Sequence, residues 1–450
     1  MLSRKGLVSK LLKVVHFFAA IGIFAACWLR FYRMPIALDA MFMLFGAVIY
    51  FLLAHIYKAY DLGYSRVMDL IYSHVLTGVL SGGVIYVVYC MVTVQIQNPL
   101  PILLIIALQA CWDVLWALVA NRIYYTMNVP KRTVVVYRNR ADLARLNGIR
   151  NFEYKFRIEK FIENPGDDFF TLLKELEGFE AVFVVGVHAT LRNGIAKYCV
   201  ENRVAGYFAP HVGDIIISGA VPIHAFGLPV QEVRRKSASL EYMIAKRLFD
   251  IAASLAALIV LSPVMLIIAL AIKLGDGGPV FYKQTRCTKD GKLFGILKFR
   301  SMRVDAEKDG VARLASDNDD RITPVGKFIR ACRIDELPQL INILKGDMSI
   351  VGPRPERPEI AAEYEKTLPA FQLRLQVKAG LTGYAQVYGR YNTEPYDKLQ
   401  MDLIYINRMS FVEDLKIIFA TIKILFIKES TQGVAEGQVT AVQEDREKSA

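Results

Sequence analysis

The sequence predicts a membrane protein in three parts: a four-helix transmembrane bundle at residues 1–130, an α/β domain at 131–232 and a mixed α+β domain at 233–428. Two observations favour this architecture. Of the 450 residues, 54% are hydrophobic, against ~45–50% in ordinary soluble domains. At the same time 22% are charged, which is too many for a bundle of membrane helices alone. The chain is therefore long enough to hold both a membrane part and a sizeable soluble part.

Four apolar stretches follow a basic N-terminus. Each is close to the ~20 residues that cross a bilayer as a helix, and they lie at about 14–32, 36–57, 71–95 and 100–121. No small-residue cleavage site follows the first stretch, so we expect a span there rather than a removable secretory signal. The positive-inside rule places the N-terminus in the cytoplasm, and four spans return the chain there. The basic residues behind this orientation are Arg4, Lys5, Lys10, Lys13, Arg122, Lys131 and Arg132.

Residues 131–232 alternate short β-type runs with polar segments that suit helices, which is typical of a doubly wound parallel sheet. The predicted strands are Thr133–Tyr137, Phe156–Ile162, Ala181–Val187 and Val204–Phe208, and the predicted helices are Asp167–Gly178 and Ala189–Asn202. A Rossmann-like domain that binds a dinucleotide needs a glycine-rich turn after its first strand. The residues that follow Tyr137 lack it. We therefore favour a Rossmann-like spacer or assembly module over a nucleotide sensor.

Basic side chains outnumber acidic ones, 55 against 43, for a formal net charge of +12. This excess favours an anionic membrane surface or phosphorylated substrates. No Lys/Arg block is interleaved with aromatic residues, so no nucleic-acid partner is predicted. The six cysteines and six histidines are scattered, so neither a disulfide framework nor a thiolate zinc site is predicted. Residues 429–450 are polar and acidic and are predicted to be a disordered tail.

A fifth apolar run, Ile251–Ile272, has basic residues at both ends and Ser262-Pro263 in its middle. A proline inside a helix removes a hydrogen bond and costs ~3 kcal/mol unless a kink or a local partner relieves it. Basic residues at both ends oppose the transfer of either end across the membrane. We therefore expect a re-entrant helix over residues 246–274, broken at Ser262-Pro263, that enters and leaves on the cytoplasmic side. The alternative is an ordinary kinked span, because membrane helices tolerate proline.

The segment Arg333–Asn342 places two adjacent carboxylates before a predicted helix. Apolar residues at helical spacing follow, Pro338 fits the first turn and Gly346 fits the C-terminal end. Asp335 and Glu336 would then lie at a helix N-terminus, which favours anions and keeps a carboxylate ionised. They are the candidate catalytic residues. The alternative is that Asp335 is an N-cap and that Glu336 only complements the helix dipole.

Cationic and polar side chains are frequent around these carboxylates. Guanidinium groups match phosphate oxygens bidentately, and prolines of fixed φ hold the backbone on both sides of Arg354 extended. The candidate substrate-binding residues are Lys298, Arg300, Arg333, Arg354, Gln386 and Arg390, with Pro353 and Pro355 as structural residues. The alternative for each cation is a solvated charge or an ordinary salt bridge.

A further segment, Lys378–Val387, with Arg390 and Asn392 beyond it, contains glycines that are expected to form tight turns. Its polar groups would suit a nucleotide or a sugar. The charged residues after it, Asp397, Lys398 and Asp402, are expected to form a structural charge network rather than a binding site.

Residues 240–428 resemble the bacterial sugar transferase domain of the polyisoprenyl-phosphate hexose-1-phosphate transferases, the monotopic phosphoglycosyl transferases. The motifs that carry the resemblance are Lys246-Arg247 with Phe249-Asp250, Ser262-Pro263, Lys298–Met302, Asp335–Gln339, Gly352–Pro355 and Lys378–Gln386. The four spans and the α/β domain resemble the large members that start exopolysaccharide, capsule or O-antigen assembly. The resemblance implies a multi-pass protein of the bacterial plasma (inner) membrane, with its catalytic domain on the cytoplasmic face.

The resemblance also implies a reaction. A UDP-sugar, with glucose or galactose expected first, would bind with Mg²⁺ across its diphosphate, and Asp335 would attack the β-phosphorus and expel UMP. Undecaprenyl phosphate, a polyprenyl phosphate held among the membrane lipids, would then displace the covalent aspartyl-phosphosugar intermediate. Glu336 is the expected Mg²⁺ ligand. Lys298, Arg300, Arg333 and Arg354 are expected to stabilise charge on the two phosphates.

Two other functions compete with this one. A membrane-anchored, NAD-dependent sugar-nucleotide dehydratase or epimerase shares the layout, and Tyr242 and Lys246 match its Tyr-x-x-x-Lys spacing, but the sequence has no G-x-G-x-x-G turn. A non-catalytic scaffold for polysaccharide assembly would need an inactive C-terminal domain, and Asp335, Glu336 and Arg354 argue against that. The oligomeric state stays open, with a homodimer through residues 131–232 as the hypothesis.

Overall fold

A computed structural model of the chain describes residues 4–32, 34–63, 65–146, 153–163, 165, 169–225, 227–304, 306, 321–389 and 394–425. The chain forms two compact units, Met1–Pro210 and His211–Ala450. The first contains four long helices and a parallel sheet, and the second contains one long apolar helix and the candidate catalytic residues. The sequence places the start of this last part at residue 233, whereas the structure packs residues from His211 onward with it.

Four N-terminal helices are long and apolar enough to cross a membrane. They are α1 (Arg4–Phe31), α2 (Ile36–Ile56), α3 (Val67–Thr93) and α4 (Leu100–Met127). They coincide with the predicted stretches, although α1 already begins at Arg4 and includes basic residues in its first turns. The helices meet around buried aromatic rings, and Trp28 Nε1 donates a hydrogen bond to Asp39 Oδ1 at 2.9 Å. A buried indole N–H needs such a partner where no water can reach it.

A four-stranded parallel sheet completes the first unit. Its strands are β1 (Lys131–Tyr137), β2 (Phe156–Glu163), β3 (Ala181–Val185) and β4 (Ala205–Phe208), in the order β2-β1-β3-β4, and its helices are α5 (Arg140–Arg145), α6 (Phe169–Leu176) and α7 (Ala189–Glu201). Valines of β1 and β3 are buried against leucines of α6 and α7. The predicted parallel α/β arrangement is confirmed, because runs of β-branched residues mark strands that helices cover.

In its described residues, the second unit mixes helices with three two-stranded sheets. Strand β5 (Val221–Ala225) pairs with β6 (Leu228–Glu232) and β7 (Phe281–Cys287) with β8 (Leu293–Phe299), both antiparallel, while β9 (Ser349–Val351) and β10 (Gly380–Thr382) are parallel. The helices are α8 (Val212–Ser218), α9 (Leu240–Asp276), α10 (Pro324–Ala331), α11 (Gln339–Lys345), α12 (Pro358–Thr367), α13 (Tyr384–Tyr388), α14 (Pro395–Asn407) and α15 (Phe411–Leu425). Short 3₁₀ segments occur at Lys289–Gly291, Ile334–Glu336 and Pro369–Gln376.

Helix α9 runs through Ser262-Pro263 without interruption, which corrects the predicted break at this pair. Proline lacks the N–H that would bond to the carbonyl four residues earlier. In its place Ser262 Oγ donates a hydrogen bond to the carbonyl oxygen of Ile259 at 2.8 Å. The residue before the proline thus satisfies the acceptor that the proline leaves open, and the helix continues.

One face of α9 packs against the rest of the second unit, and it does so in both halves of the helix. In the N-terminal half, Arg247 donates hydrogen bonds to two carbonyls at the end of α11, at 2.7 and 2.8 Å. In the C-terminal half, Ile268 and Ile272 are buried against residues of β8 and α10. The opposite face is apolar and exposed, at Leu248, Leu255, Ile259, Val260, Leu266, Ile267, Leu270 and Leu274. Both halves of this helix therefore contact the same compact unit.

A buried ion network holds the loop that follows β9. Arg374 Nη2 lies 2.7 Å from Asp402 Oδ2 and donates a hydrogen bond to the carbonyl oxygen of Arg354 at 2.9 Å. Glu356 Oε1 lies 2.8 Å from Lys398 Nζ and 3.6 Å from Arg374 Nη1. The prediction that Lys398 and Asp402 belong to a structural network is confirmed, and the network fixes the backbone at position 354.

Glu356 makes this network sensitive to pH. Burial alone would raise the pKa of Glu356, but the Lys398 and Arg374 charges outweigh it and lower the pKa from an ordinary 4.5 to about 2. A carboxylate with a depressed pKa in the folded state stabilises that state above the unfolded pKa. Its contribution is lost as the pH falls from about 4.5 toward about 2.

We expect Glu356→Gln to lower the free energy of unfolding by about 3 kcal/mol at neutral pH, because buried cations lose their counter-charge. The difference from the wild-type chain should shrink on acidification, since protons bind the unfolded carboxylate before the folded one. Thermal unfolding of the purified protein across a pH series measures both effects. The control Glu363→Gln removes an exposed pair with Lys366 and should cost under ~0.5 kcal/mol. Equal destabilisation by the two variants would contradict the expectation.

Candidate active site

The two candidate catalytic carboxylates lie in the 3₁₀ turn Ile334–Glu336, ahead of α11. The predicted helix start is corrected here: α11 begins at Gln339, and Pro338 precedes it instead of lying in its first turn. Gly346 ends the helix in the left-handed conformation, at φ 90°, as expected. The residue that caps α11 makes no side-chain hydrogen bond. Asp335 is therefore not the N-cap of this helix, and the purely structural explanation for it loses its support.

Glu336 is the buried centre of the cluster. Its Oε1 accepts hydrogen bonds from Lys298 Nζ at 3.2 Å and from Arg354 Nη2 at 3.1 Å, and only 13% of the side chain is exposed. Burial alone would raise the pKa of Glu336, but the Lys298 and Arg354 charges outweigh it and hold the pKa well below its usual range. The carboxylate is therefore an anion at neutral pH.

Asp335, next to it, is held in a different way. Among the described residues, none donates a hydrogen bond to the Asp335 carboxylate or forms an ion pair with it. Burial raises the pKa of Asp335 above its usual value, and the Lys298 charge opposes this rise. The Asp335 carboxylate thus lies near cationic side chains but forms no hydrogen bond or ion pair with them among the described residues. That arrangement suits a nucleophile that must approach a phosphorus atom.

Lys298 and Arg300 come from the end of β8, and Phe299 between them is buried in the core. Side chains two residues apart share one face of a strand. Burial lowers the pKa of Lys298, and the Glu336 charge opposes this shift. The Arg300 guanidinium lies against Gly278, where any Cβ would collide with it. The structure thus brings Lys298 to Glu336, whereas Arg300 packs at the start of the hairpin.

Arg333 precedes the 3₁₀ turn with a φ of 53°, in the left-handed region. Residues other than glycine rarely adopt this conformation, and it costs ~1–2 kcal/mol. Such strain is concentrated at functional sites. The reversal at Arg333 lets the chain leave α10 and enter the turn that carries both carboxylates. Its charge also adds to the lowering of the Glu336 pKa.

Arg354 lies between Pro353 and Pro355 in the loop after β9, and its side chain reaches Glu336. Its carbonyl is held by Arg374, a residue that the sequence analysis did not single out. Arg374 is buried in a 3₁₀ segment and bonds to a carboxylate far along the chain. No local pattern marks such a residue, because its role depends on tertiary packing.

Three glycines allow the backbone at Gly352, before Arg354, to contact the backbone of residues 378–383. A Cβ on Gly352 would collide with the carbonyl oxygen of Lys378, one on Gly380 with the amide of Gly352, and one on Gly383 with the carbonyl of Gly352. None of the three has a positive φ. Gly380 lies in strand β10 rather than in the predicted tight turn, and Gly380 and Gly383 both allow the close approach of one backbone to another.

The remaining candidates do not reach the carboxylates. Gln386 Nε2 donates a hydrogen bond to the carbonyl oxygen of Leu381 at 3.1 Å, and Lys378 Nζ donates one to that of Gly346 at 2.8 Å. Both side chains thus support the local fold in this structure. Arg390 and Asn392, also singled out from the sequence, lie outside the described residues.

The donor set at the turn suits a hard divalent cation. Both ion pairs of Glu336 use Oε1, so the second oxygen of this carboxylate is outside them. Mg²⁺ prefers carboxylate oxygens together with substrate phosphates and water. The residues present therefore fit Mg²⁺ at Glu336, and the neighbouring cations fit the phosphates that it would accompany.

The second unit of the chain matches a known protein family. A family profile described as "Bacterial sugar transferase" matches residues 241–428. The chain is 43% identical over 201 residues to the UDP-glucose:undecaprenyl-phosphate glucose-1-phosphate transferase of Escherichia coli (strain K12), covering 44% of this chain and 43% of the relative. It is 43% identical over 200 residues to the exopolysaccharide production protein PSS of Rhizobium leguminosarum bv. phaseoli, covering 42% of this chain and 98% of the relative.

A third relative differs in the sugar that it is named for. The UDP-N-acetylgalactosamine-undecaprenyl-phosphate N-acetylgalactosaminephosphotransferase of Aeromonas hydrophila is 43% identical over 185 residues, covering 40% of this chain and 44% of the relative. The chain thus spans less than half the length of the Escherichia coli and Aeromonas proteins and nearly the whole of the Rhizobium protein.

The profile match contains the whole carboxylate cluster, from Lys298 to Arg354, and it also contains nearly all of α9. Helices α1–α4 and the parallel sheet lie before it. The resemblance that the motifs indicated is confirmed. The chain belongs to the bacterial sugar transferase family.

Proposed function

We propose that the chain transfers a sugar-1-phosphate from a UDP-sugar to undecaprenyl phosphate, releases UMP, and so initiates the repeat unit of an exopolysaccharide, capsule or O-antigen. The names of the relatives support this reaction class. The observation that carries the proposal is the pair of unlike carboxylates: Asp335 is unengaged, while Glu336 is held by two cations. In such a pair Asp335 can act as the nucleophile, while Glu336 and its two cationic partners can bind a diphosphate.

In the first half-reaction a carboxylate oxygen of Asp335 attacks the β-phosphorus of the donor. The bond from this phosphorus to the bridging oxygen breaks, and UMP leaves with the electron pair on that oxygen. The sugar phosphate stays on Asp335 as a mixed acyl phosphate. Lys298 and Arg354 stabilise the charge on the transferring phosphate, because preorganised cations in a buried site cost no reorganisation during the reaction.

In the second half-reaction a phosphate oxygen of the lipid acceptor attacks the same phosphorus, and the Asp335 carboxylate leaves. The product is a polyprenyl-diphospho-sugar, and the free carboxylate is restored. Arg333 directly precedes the 3₁₀ turn, and Arg300 directly follows β8. We assign both residues to the stabilisation of negative charge on the nucleotide phosphates.

Glu336 would hold Mg²⁺, and the bound ion would supply charge neutralisation for the donor diphosphate. The low pKa of Glu336 keeps this residue ready to bind a cation. Lys298 and Arg354 occupy only one of its two oxygens. They orient the carboxylate as well as balance its charge.

The proposal extends to the membrane arrangement. We infer that α9 is re-entrant and keeps the active site on the cytoplasmic face of the bacterial plasma membrane, at the depth of the lipid phosphate. Two observations support this: both halves of α9 contact one compact unit, and its other face is apolar and exposed.

The parallel sheet of the first unit has the doubly wound order β2-β1-β3-β4, which supports a Rossmann-like arrangement. No glycine-rich turn follows β1, so we assign this domain an assembly role, with a homodimer as the simplest form. The family assignment argues against the NAD-dependent dehydratase or epimerase. A non-catalytic scaffold is separated from the transferase by the next experiment.

Asp335→Asn should abolish UMP release from a UDP-sugar panel in the presence of Mg²⁺ and undecaprenyl phosphate, by on the order of 10³-fold or more, because the amide is not a nucleophile. The panel includes UDP-glucose, UDP-galactose and their N-acetylated forms, since the relatives are named for different sugars. Without acceptor, wild-type protein should release one UMP per active chain and gain the mass of a hexose phosphate in intact-mass spectrometry. UMP release that strictly requires the acceptor would contradict the covalent step.

Glu336→Gln should weaken the response to Mg²⁺ and reduce the rate ~10²–10³-fold, because it removes both the metal ligand and the counter-charge of two cations. The measurement is a Mg²⁺ titration of UMP release. Glu413→Gln, which removes a partly buried carboxylate paired with Lys416, is the matched control. An unchanged Mg²⁺ dependence in Glu336→Gln would assign the ion to other ligands.

The re-entrant arrangement is tested with single cysteines, Ser239→Cys and Gly275→Cys, in a chain whose six native cysteines are replaced by serine. Both should react with a membrane-impermeant thiol reagent only after the cells are opened. Met34→Cys, between α1 and α2, should react in intact spheroplasts. Labelling of Gly275→Cys in intact spheroplasts would show that α9 is an ordinary span.

A further inference from the structure

Three ionisable side chains meet inside the N-terminal helix bundle. His16 of α1, His74 of α3 and Asp113 of α4 are each 0% exposed. One nitrogen of each histidine and one carboxylate oxygen of Asp113 lie within 4.8 Å of one another. Ionisable residues inside a membrane bundle are costly and mark functional positions, and the transferase chemistry of the second unit does not use these three.

The cluster lies within the apolar stretches, toward the ends that are predicted to face the cytoplasm. His16 is two residues beyond the start of the first stretch, at 14–32, and His74 is three beyond the start of the third, at 71–95. Asp113 is eight residues before the end of the fourth, at 100–121. All three side chains are buried among the helices, so contact with bulk water does not account for the polarity of these positions.

The hydrogen bonds around His16 have the pattern of a metal-bound histidine. Its Nε2 lies 2.9 Å from Asp113 Oδ1, and its Nδ1 lies 3.1 Å from the hydroxyl of Tyr60. A histidine that binds a metal through one ring nitrogen usually donates its other N–H to a neighbour, which fixes the orientation of the ring. Tyr60 is placed to be that neighbour.

The other two members converge on the same point. The ring of His74 lies 4.2 Å from that of His16, measured between centroids. Asp113 Oδ2 is buried and has no hydrogen-bond partner within the described part of the chain. A purely structural hydrogen bond between His16 and Asp113 would tie α1 to α4, but it does not account for the second, buried oxygen of Asp113.

Aromatic rings surround the cluster. The ring of Trp116 lies 4.4 Å from that of His16 and 5.0 Å from that of His74, and Trp112 and Tyr50 stack at longer distances. An apolar shell excludes water and strengthens the attraction between a cation and a carboxylate. The surroundings therefore favour a bound cation over an isolated anion.

We propose that His16, His74 and Asp113 form a binding site for a divalent d-block cation of the Zn²⁺ class, in the interior of the helix bundle. Two imidazoles and one carboxylate suit such ions, whereas Mg²⁺ and Ca²⁺ prefer oxygen ligands. Tetrahedral Zn²⁺ with bonds of ~2.0–2.2 Å holds its ligand atoms roughly 3.4 Å apart, so side-chain rotations that draw the three ligand atoms together would close the site. On binding, His16 Nε2 would coordinate the ion in place of its hydrogen bond to Asp113, and the single proton of the neutral imidazole would reside on Nδ1, facing Tyr60.

The test uses the full-length protein in detergent micelles, purified without a polyhistidine tag and kept in excess Mg²⁺ so that the catalytic turn is occupied. After equilibration with Zn²⁺ and desalting, the bound metal is counted by mass spectrometry. We expect about one Zn²⁺ per chain in the wild-type protein and at least a tenfold loss of affinity in His74→Gln and in Asp113→Asn. The control His55→Gln changes an exposed histidine of α2 and should retain the ion.

Co²⁺ provides a second readout that needs no variant. Bound by two imidazoles and a carboxylate with low coordination number, it should give the intense visible absorption of a four-coordinate ion, and excess Zn²⁺ should remove it. Absence of retained Zn²⁺ and of this absorption in the wild-type protein would overturn the proposal. Equal retention by His74→Gln, Asp113→Asn and His55→Gln would overturn it too. UMP release by each variant reports separately on the catalytic unit, so a failed transferase assay does not decide the metal site.

Discussion

The anion of Glu336, buried and held by two cations, is the interaction on which the catalytic unit depends. A carboxylate removed from water costs several kcal/mol unless close partners compensate it. Lys298 is 38 residues before it and Arg354 is 18 residues after it. The hairpin of β8, the 3₁₀ turn and the loop after β9 must therefore meet for the fold to form. Because they meet, Asp335 is presented beside the same cations without being neutralised by them.

The supports of this interaction extend to the apolar helix. Arg247 on α9 binds the carbonyls that end α11, and α11 follows directly on the turn with Glu336. Behind the loop, Arg374 fixes the carbonyl of Arg354. The position of α9 and the geometry of the carboxylates are thus coupled through short, direct contacts. A displacement of this helix would be transmitted to the catalytic turn through one helix of two turns.

The parts of the fold that could be predicted from the sequence have long, local patterns: four apolar helices and a parallel sheet of β-branched strands. The sequence is misleading where a hydrogen bond from another side chain, whether adjacent or far along the chain, determines the local structure. Pro263 does not break α9, because Ser262 supplies the missing hydrogen bond. The carboxylates of the site can be predicted from their motif, whereas the role of Arg374 cannot, because it depends on tertiary packing. His16 and Asp113 are 97 residues apart, and no spacing rule connects residues on separate helices.

The contact among Gly352, Gly380 and Gly383 also has a genetic meaning. Every glycine codon begins with two guanines, and any change in either base introduces a side chain or stops translation. At these positions a Cβ meets backbone atoms, which cannot rotate away as a side chain can. Only silent third-base changes are then tolerated, whichever sugar the protein handles. The pairing of these two loops can persist in a gene while the residues that select a substrate diverge around it.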